Sequence, residues 1–187
     1  MIMTAMTILL EVAYILGETV FVMADDFKSY FNQLRLAPSE YHKTGMIHPP
    51  RIRAGRTRFA TDTVLGFGIK MASNVAQRFG TFLVNCMRHI IDLEEQKWIA
   101  EKRASIPAFD EWCRRRGAHG LEQIRLWCMM QYTDDPCILA VGADLMHRVI
   151  KAWHWLTSGM KAMMAIPEKR TLGTSARWLG IKFLVPL

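Results

Sequence analysis

Two pairs of adjacent aspartates stand out as residues able to do chemistry: Asp25-Asp26 and Asp134-Asp135. The first pair ends the apolar, β-branched run Thr19-Val20-Phe21-Val22-Met23-Ala24, which reads as a buried strand. The second lies in QYTDDPCILAVG, between strand-like stretches at Arg125–Gln131 and Cys137–Val141 that a hairpin would join. Carboxylates delivered by two strand ends suit a hard divalent cation such as Mg2+. Such an ion takes few protein oxygens and completes its shell with substrate phosphates. Two such ions can clamp the attacking and leaving oxygens of a phosphoryl transfer. Each pair also has a plainer reading. Aspartate is at home in turns, and Asp26 would cap a short helix at 27–32. Taken alone the plainer readings win; taken together the two pairs favour a site.

The remaining pattern supplies elements to position those carboxylates. Met6, Leu9, Leu10, Ala13 and Leu16 space out one face of a helix that Gly17 ends. Residues 38–58 hold Pro38, Pro49, Pro50, Gly55 and arginines at 51, 53, 56 and 58, the mark of turns and a basic loop or hairpin. Gly66-Phe67-Gly68 precedes a helix from Met71 to about Ile91, with Val75, Phe79, Phe82, Leu83 and Met87 as its apolar face. From about Asp92 to Glu122 the helix continues and then gives way to an irregular charged insertion around Arg114-Arg115-Arg116. A helix over about 143–160 buries Leu145, Val149, Trp153 and Leu156, and an apolar segment at 177–184 closes the chain.

Composition sets outer bounds. The 187 residues fit one domain with a sizeable core, and 51% hydrophobic with 22% charged residues excludes wholesale disorder. A net charge of +7 permits a phosphate-rich partner without requiring one. Cys86, Cys113, Cys128 and Cys137 form no C-x-x-C pair, so they read as reduced thiols of an intracellular protein. Cys86 and His89 lie one helical turn apart, but a helix face without a second ligand pair is the better account. Glu11 and Glu18 interrupt the apolar N-terminus short of the ~20 residues of a membrane span.

At four places, in order, the chain resembles the palm of reverse transcriptases, the RNA-directed DNA polymerases of retroelements and retroviruses. DFKSYFNQLRLAPSEYHKTGM is similar to the first aspartate motif, and LGFGIKMASNVAQRF to the glycine loop that opens a helix. QYTDD matches the Tyr-x-Asp-Asp hairpin, and RWLGIKF resembles the late strand, with Lys169 upstream of it. The matches run over about 18–184 of a single domain spanning 1–187. The resemblance implies an α+β fold: a small antiparallel sheet backed by helices, with part of the fingers. It also implies that most of the fingers, the thumb and an RNase H segment belong to a longer parent protein.

By this resemblance Asp26 and Asp134 would ligate the catalytic metals, Mg2+ with Mn2+ as the alternative ion. Asp135 would support them, and the Phe27 carbonyl would add a contact. Phe31 would lie under the sugar of the incoming dNTP. Phe67 and Gly68 would lie over that nucleotide, Lys169 would face its phosphates, and Lys70 would approach an RNA or DNA template with its primer. Plain readings stand beside these: Phe31 as core, Lys70 as a surface lysine, Gln77 as a helix-surface residue although it matches a family glutamine, and His147 and His154 as structural. Asp26 is preferred to Asp25 because it puts Phe31 at the aromatic position.

The pattern departs from the family in two places. Ala72-Ser73-Asn74 stands where the second motif has a proline. Pro136 follows the double aspartate, removes a ladder donor and holds Asp135 to extended angles, which makes Asp134 the primary ligand. Two alternatives to a polymerase are a decayed or domesticated remnant that at most binds nucleic acid, and an unrelated α+β interaction domain.

Overall fold

The structure, a computed structural model, describes residues 2–48, 58–66, 72–118 and 124–185. It is a mixed α/β arrangement around a small antiparallel sheet of order β4-β5-β1-β6. The central strands are β1 (Val20–Ala24) and β5 (Asp135–Val141), flanked by β4 (Trp127–Tyr132) and the short β6 (Thr171–Gly173). Ile138, Leu139, Ala140 and Val141 of β5 are all fully buried, so both faces of the sheet centre are covered. That is why β5 reads as a continuous apolar run rather than an alternating one.

Helix α1 (Ile2–Leu16) ends at Gly17, whose φ of 66° only glycine adopts without cost. The Glu18 N–H then donates to the Ala13 carbonyl at 2.9 Å and the Gly17 N–H to that of Tyr14 at 3.3 Å, a Schellman cap that turns the chain into β1. The helix buries Met6, Leu9, Val12 and Ala13. After β1 comes the one-turn helix α2 (Tyr30–Gln33), then a 3-10 segment at Pro38–Thr44. Strands β2 (Gly45–His48) and β3 (Arg58–Thr61) pair as a separate hairpin. The expected basic loop at arginines 51, 53 and 56 lies outside the described residues.

Helix α3 (Ala72–Ser105) differs from expectation in length and in face. Its 34 residues span roughly 50 Å at ~1.5 Å per residue. The buried stripe is Ala72, Ala76, Gly80, Leu83, Met87, Ile91, Glu95 and Ile99, whereas Val75 and Phe82 are 44% and 52% exposed. Size rather than hydropathy chose this face. A Cβ on Gly80 would stand 3.2 Å from the Gln131 side chain, so only small residues let α3 approach the sheet there.

Within the irregular insertion expected at 92–122, the described residues 92–118 are instead almost wholly helical. Helix α3 runs to Ser105 and α4 (Pro107–Ala118) follows after a single residue. Pro107 opens α4, where its missing N–H has no helical partner to lose. Phe109, Trp112 and Cys113 are buried, and the charges pair along the surface: Asp110 accepts from Arg103 at 2.7 Å and from Arg114 at 3.1 Å. Helix α5 (Ala143–Gly159) buries Leu145, Met146, Val149, Trp153 and Thr157. Strands β7 (Ser175–Trp178) and β8 (Ile181–Leu184) form the last hairpin, turned by Leu179 and Gly180 at positive φ. All four cysteines are free. Among the described residues, no helix is long and apolar enough to cross a membrane.

Candidate functional site

Antiparallel pairing of β1 with β5 brings the two aspartate pairs together. The register runs from Val20 opposite Val141 to Ala24 opposite Cys137. Two hydrogen bonds extend it: the Asp25 N–H donates to the Pro136 carbonyl, and the Phe27 N–H to the Asp134 carbonyl, both at 3.1 Å. Asp26 falls between these bonded positions and therefore lies across from Asp135, in the kind of pair that holds side chains closest. Pro136, at the start of β5, faces Gln131 across the β4–β5 hairpin.

The first pair divides its labour. The Asp25 side chain is 2% exposed and accepts from Arg170 Nη2 at 2.9 Å and from Trp153 Nε1 at 3.2 Å. It also accepts from the Asp26 N–H at 3.0 Å. Asp26, with a 20% exposed side chain, meets Lys169 Nζ at 2.8 Å. Of the two, Asp26 is thus the carboxylate open to a ligand.

The charges are not balanced. Burial first, then the carboxylates of Asp134 and Asp26, hold the Asp135 carboxyl above its ordinary range, and Lys169 offsets them only in part. The same crowding acts on Lys169: its hydrogen bond to Asp26 comes first, with Asp134 and Asp135 adding to it, and holds its ammonium above the usual lysine range. Beneath lies Tyr30, whose hydroxyl donates to the Ala76 carbonyl at 3.0 Å. Burial, and then Asp134, push that hydroxyl well above the ordinary tyrosine range.

The turn that presents Asp134 is held from the side. Thr133 sits at φ 48°, uncommon for a β-branched residue, and its hydroxyl donates to Asp134 Oδ1 at 2.8 Å. Gln77, expected on the helix surface, instead reaches in from α3. Its Oε1 accepts from the Thr133 N–H at 3.1 Å and its Nε2 donates to the Gln131 carbonyl at 3.0 Å. One side-chain amide so satisfies both backbone groups that edge strand β4 leaves open at its end. Gln131 adds a bond from its Nε2 to the Thr133 carbonyl at 2.8 Å. Trp178 Nε1 also donates to the Asp135 carbonyl, at 2.9 Å.

Of the residues expected at the site, Asp26, Phe27, Asp134, Asp135 and Lys169 come together. Phe27 is 2% exposed, with its ring edge-on to Trp153 at 5.8 Å between centroids. Phe31 is 7% exposed and packs edge-on against Tyr30. Phe67, Gly68 and Lys70 lie outside the described residues. His147 is exposed, and His154 Nε2 meets Arg170 Nη1 at 2.9 Å. Sequence reasoning missed Arg170, Gln131 and Trp178. No motif spacing marks them: Arg170 and Trp178 act through contacts far along the chain, and Gln131 through a bond to Thr133 inside the hairpin turn.

The donors present are hard oxygens, suited to Mg2+ or Mn2+ rather than to soft metals. Among the described residues, no three His, Cys, Asp or Glu side chains converge as a ready-made metal cage. The negative charge around Asp135 is met by the Lys169 ammonium, which lies against Asp26. Comparison with protein-family descriptions finds no match, and no curated protein matches the chain.

Proposed function

We propose that the chain is the palm of an RNA-directed DNA polymerase of a retrotransposon-like element. One observation carries this reading: β1 and the β4–β5 hairpin set Asp26 beside Asp134 and Asp135, where burial and then the Asp134 and Asp26 carboxylates raise the proton affinity of Asp135. In this reading Asp26 and Asp134 hold Mg2+ or Mn2+, and Asp135 and the Phe27 carbonyl support them. The bound ions supply charge neutralisation to a primer 3′-hydroxyl attacking the α-phosphate of a dNTP, with pyrophosphate leaving. The chain's own part is positioning. The Gln77 and Trp178 bonds fix the hairpin, Asp25 fixes the backbone at Asp26, and Lys169 faces the phosphates. A net charge of +7 suits a template and primer as partners.

Primer extension on an RNA template with Mg2+ or Mn2+, by the chain supplied with fingers and thumb segments, tests the proposal. Asp134→Asn should lower extension by at least about 100-fold, the scale of losing one preorganised charge-stabilising group. Unaltered extension would reject the metal assignment.

A second reading is favoured by a specific observation: Lys169 already occupies Asp26, and no carboxylate cage is preformed among the described residues. A decayed remnant would retain that ion pair and bind nucleic acid through its basic surface alone. Its binding would be salt-sensitive, independent of metal and unchanged by Asp26→Asn or Asp134→Asn.

A further inference from the structure

We propose that Arg170, anchored on the buried carboxylate of Asp25, is the positioning residue that holds Lys169 against Asp26. This rests on reading Asp26 and Lys169 as site residues. The argument begins with the weakness of what would otherwise hold Lys169. It ends the short 3-10 turn Pro167–Lys169 and precedes β6, a strand of three residues at the sheet edge. Thr171 and Leu172 of β6 are exposed; backbone pairing with β1, and the Ala165 N–H bond to the Asp26 carbonyl at 2.7 Å, hold the flanking chain but leave the Lys169 side chain unguided. The Lys169 side chain itself is 61% exposed, and an ion pair so open to water is worth little alone.

The Asp25 carboxylate joins the two sides. Its Oδ1 accepts the Asp26 backbone N–H at 3.0 Å, fixing the chain at the site aspartate. Its Oδ2 takes Arg170 Nη2 at 2.9 Å and Trp153 Nε1 at 3.2 Å, fixing the residue next to Lys169 on the wall of α5. His154, also on α5, meets Arg170 Nη1 at 2.9 Å. One buried acid therefore sets both the backbone that carries Asp26 and the backbone that carries Lys169. Arginine suits the task because a planar fork bonds two partners in fixed directions, and lysine cannot reproduce that fork.

The test reads distance rather than activity. Zero-length carbodiimide coupling joins Lys169 to Asp26 only while the two stay in contact, and mass spectrometry quantifies the product. The Lys102–Glu18 pair, at 3.7 Å and at the opposite end of β1 from Asp25 and Asp26, gives an internal reference. Arg170→Gln should lower the ratio of the two cross-links by about fivefold, and Asp25→Asn should act in the same direction. Arg170→Lys should restore the ratio in part. A ratio unchanged by both Arg170→Gln and Asp25→Asn overturns the proposal. So does an equal loss of both cross-links in both variants, which would mark a general structural role. Mn2+ titration of the wild-type chain is scored separately. Lack of Asp26-dependent binding there would reject the polymerase reading, while the cross-link ratio would still decide the role of Arg170.

Discussion

Two acidic clusters in this molecule are built in opposite ways. At the junction of α3 and β4, Glu95 is fully buried and held by two bonds: its Oε2 accepts from Arg125 at 2.9 Å and its Oε1 from the Leu126 N–H at 2.6 Å, which offset only in part the burial that raises its carboxyl above the ordinary range. Arg125 also pairs with Asp92, so the group closes on itself. At the ends of β1 and the β4–β5 hairpin, three carboxylates face a single lysine, and that lysine is mostly exposed. The first cluster uses charge to fasten the long helix to the sheet. In the second, three carboxylates act on one ammonium, and the metal reading proposed for this chain requires that a cation supply the balance.

Breaking the closed cluster should have the largest effect on stability. Glu95→Ala removes the acceptor of the buried Leu126 N–H and one of the two carboxylates paired with Arg125, and should cost about 3 kcal/mol by urea unfolding. The same variant should leave Mn2+ affinity at the site unchanged in the fraction that stays folded. A loss of metal binding in step with stability would erase the distinction between the clusters.

An intermediate effect is expected at Gln77, which belongs to the scaffold of the open cluster. Gln77→Ala removes two bonds to the hairpin turn and should cost about 1–2 kcal/mol in unfolding. It should also weaken Mn2+ binding by about tenfold, because a support that orients ligands is being removed. Reduced stability with undiminished Mn2+ affinity would make Gln77 a purely structural contact.

What the sequence disclosed follows the reach of its signals. The strand at 19–24, the hairpin at 125–141 and helix α5 were legible because period and β-branching are local properties. The preference for Asp26 over Asp25 rested on the resemblance and the spacing to Phe31; the structure adds that the Asp26 side chain is 20% exposed and that of Asp25 2%. The face of α3 was legible at Leu83 and Met87 but not at Ala72, Ala76 and Gly80, small residues that hydropathy does not mark; at Gly80 an added Cβ would press on Gln131. The helical pair at 92–118 was hidden for a related reason. Its charged surface resembles a loop until Arg103, Asp110 and Arg114 are seen to pair. Gln77 carried only the resemblance to a family glutamine, and a polar residue beside an apolar stripe reads as surface until its partners on β4 are known.

The smallest effect separates the clusters by sign. Burial and two neighbouring carboxylates raise the Asp135 pKa in the folded chain above its ordinary 3.8. For an acid shifted in that direction, the favourable contribution to folding is complete below pH 3.8 and is lost as pH rises through the folded value. Asp135→Asn removes that loss and should stabilise the protein at pH 7, by only on the order of 0.5 kcal/mol because solvent screens a part-exposed carboxyl. The advantage should vanish in melts run below pH 3.8. Glu95→Ala should destabilise under the same conditions, so the two substitutions ought to move the melting temperature in opposite directions at neutral pH. A destabilised Asp135→Asn at pH 7 would mean that the carboxylate is satisfied in the fold, and that the hairpin end is not the open cluster that the metal reading needs.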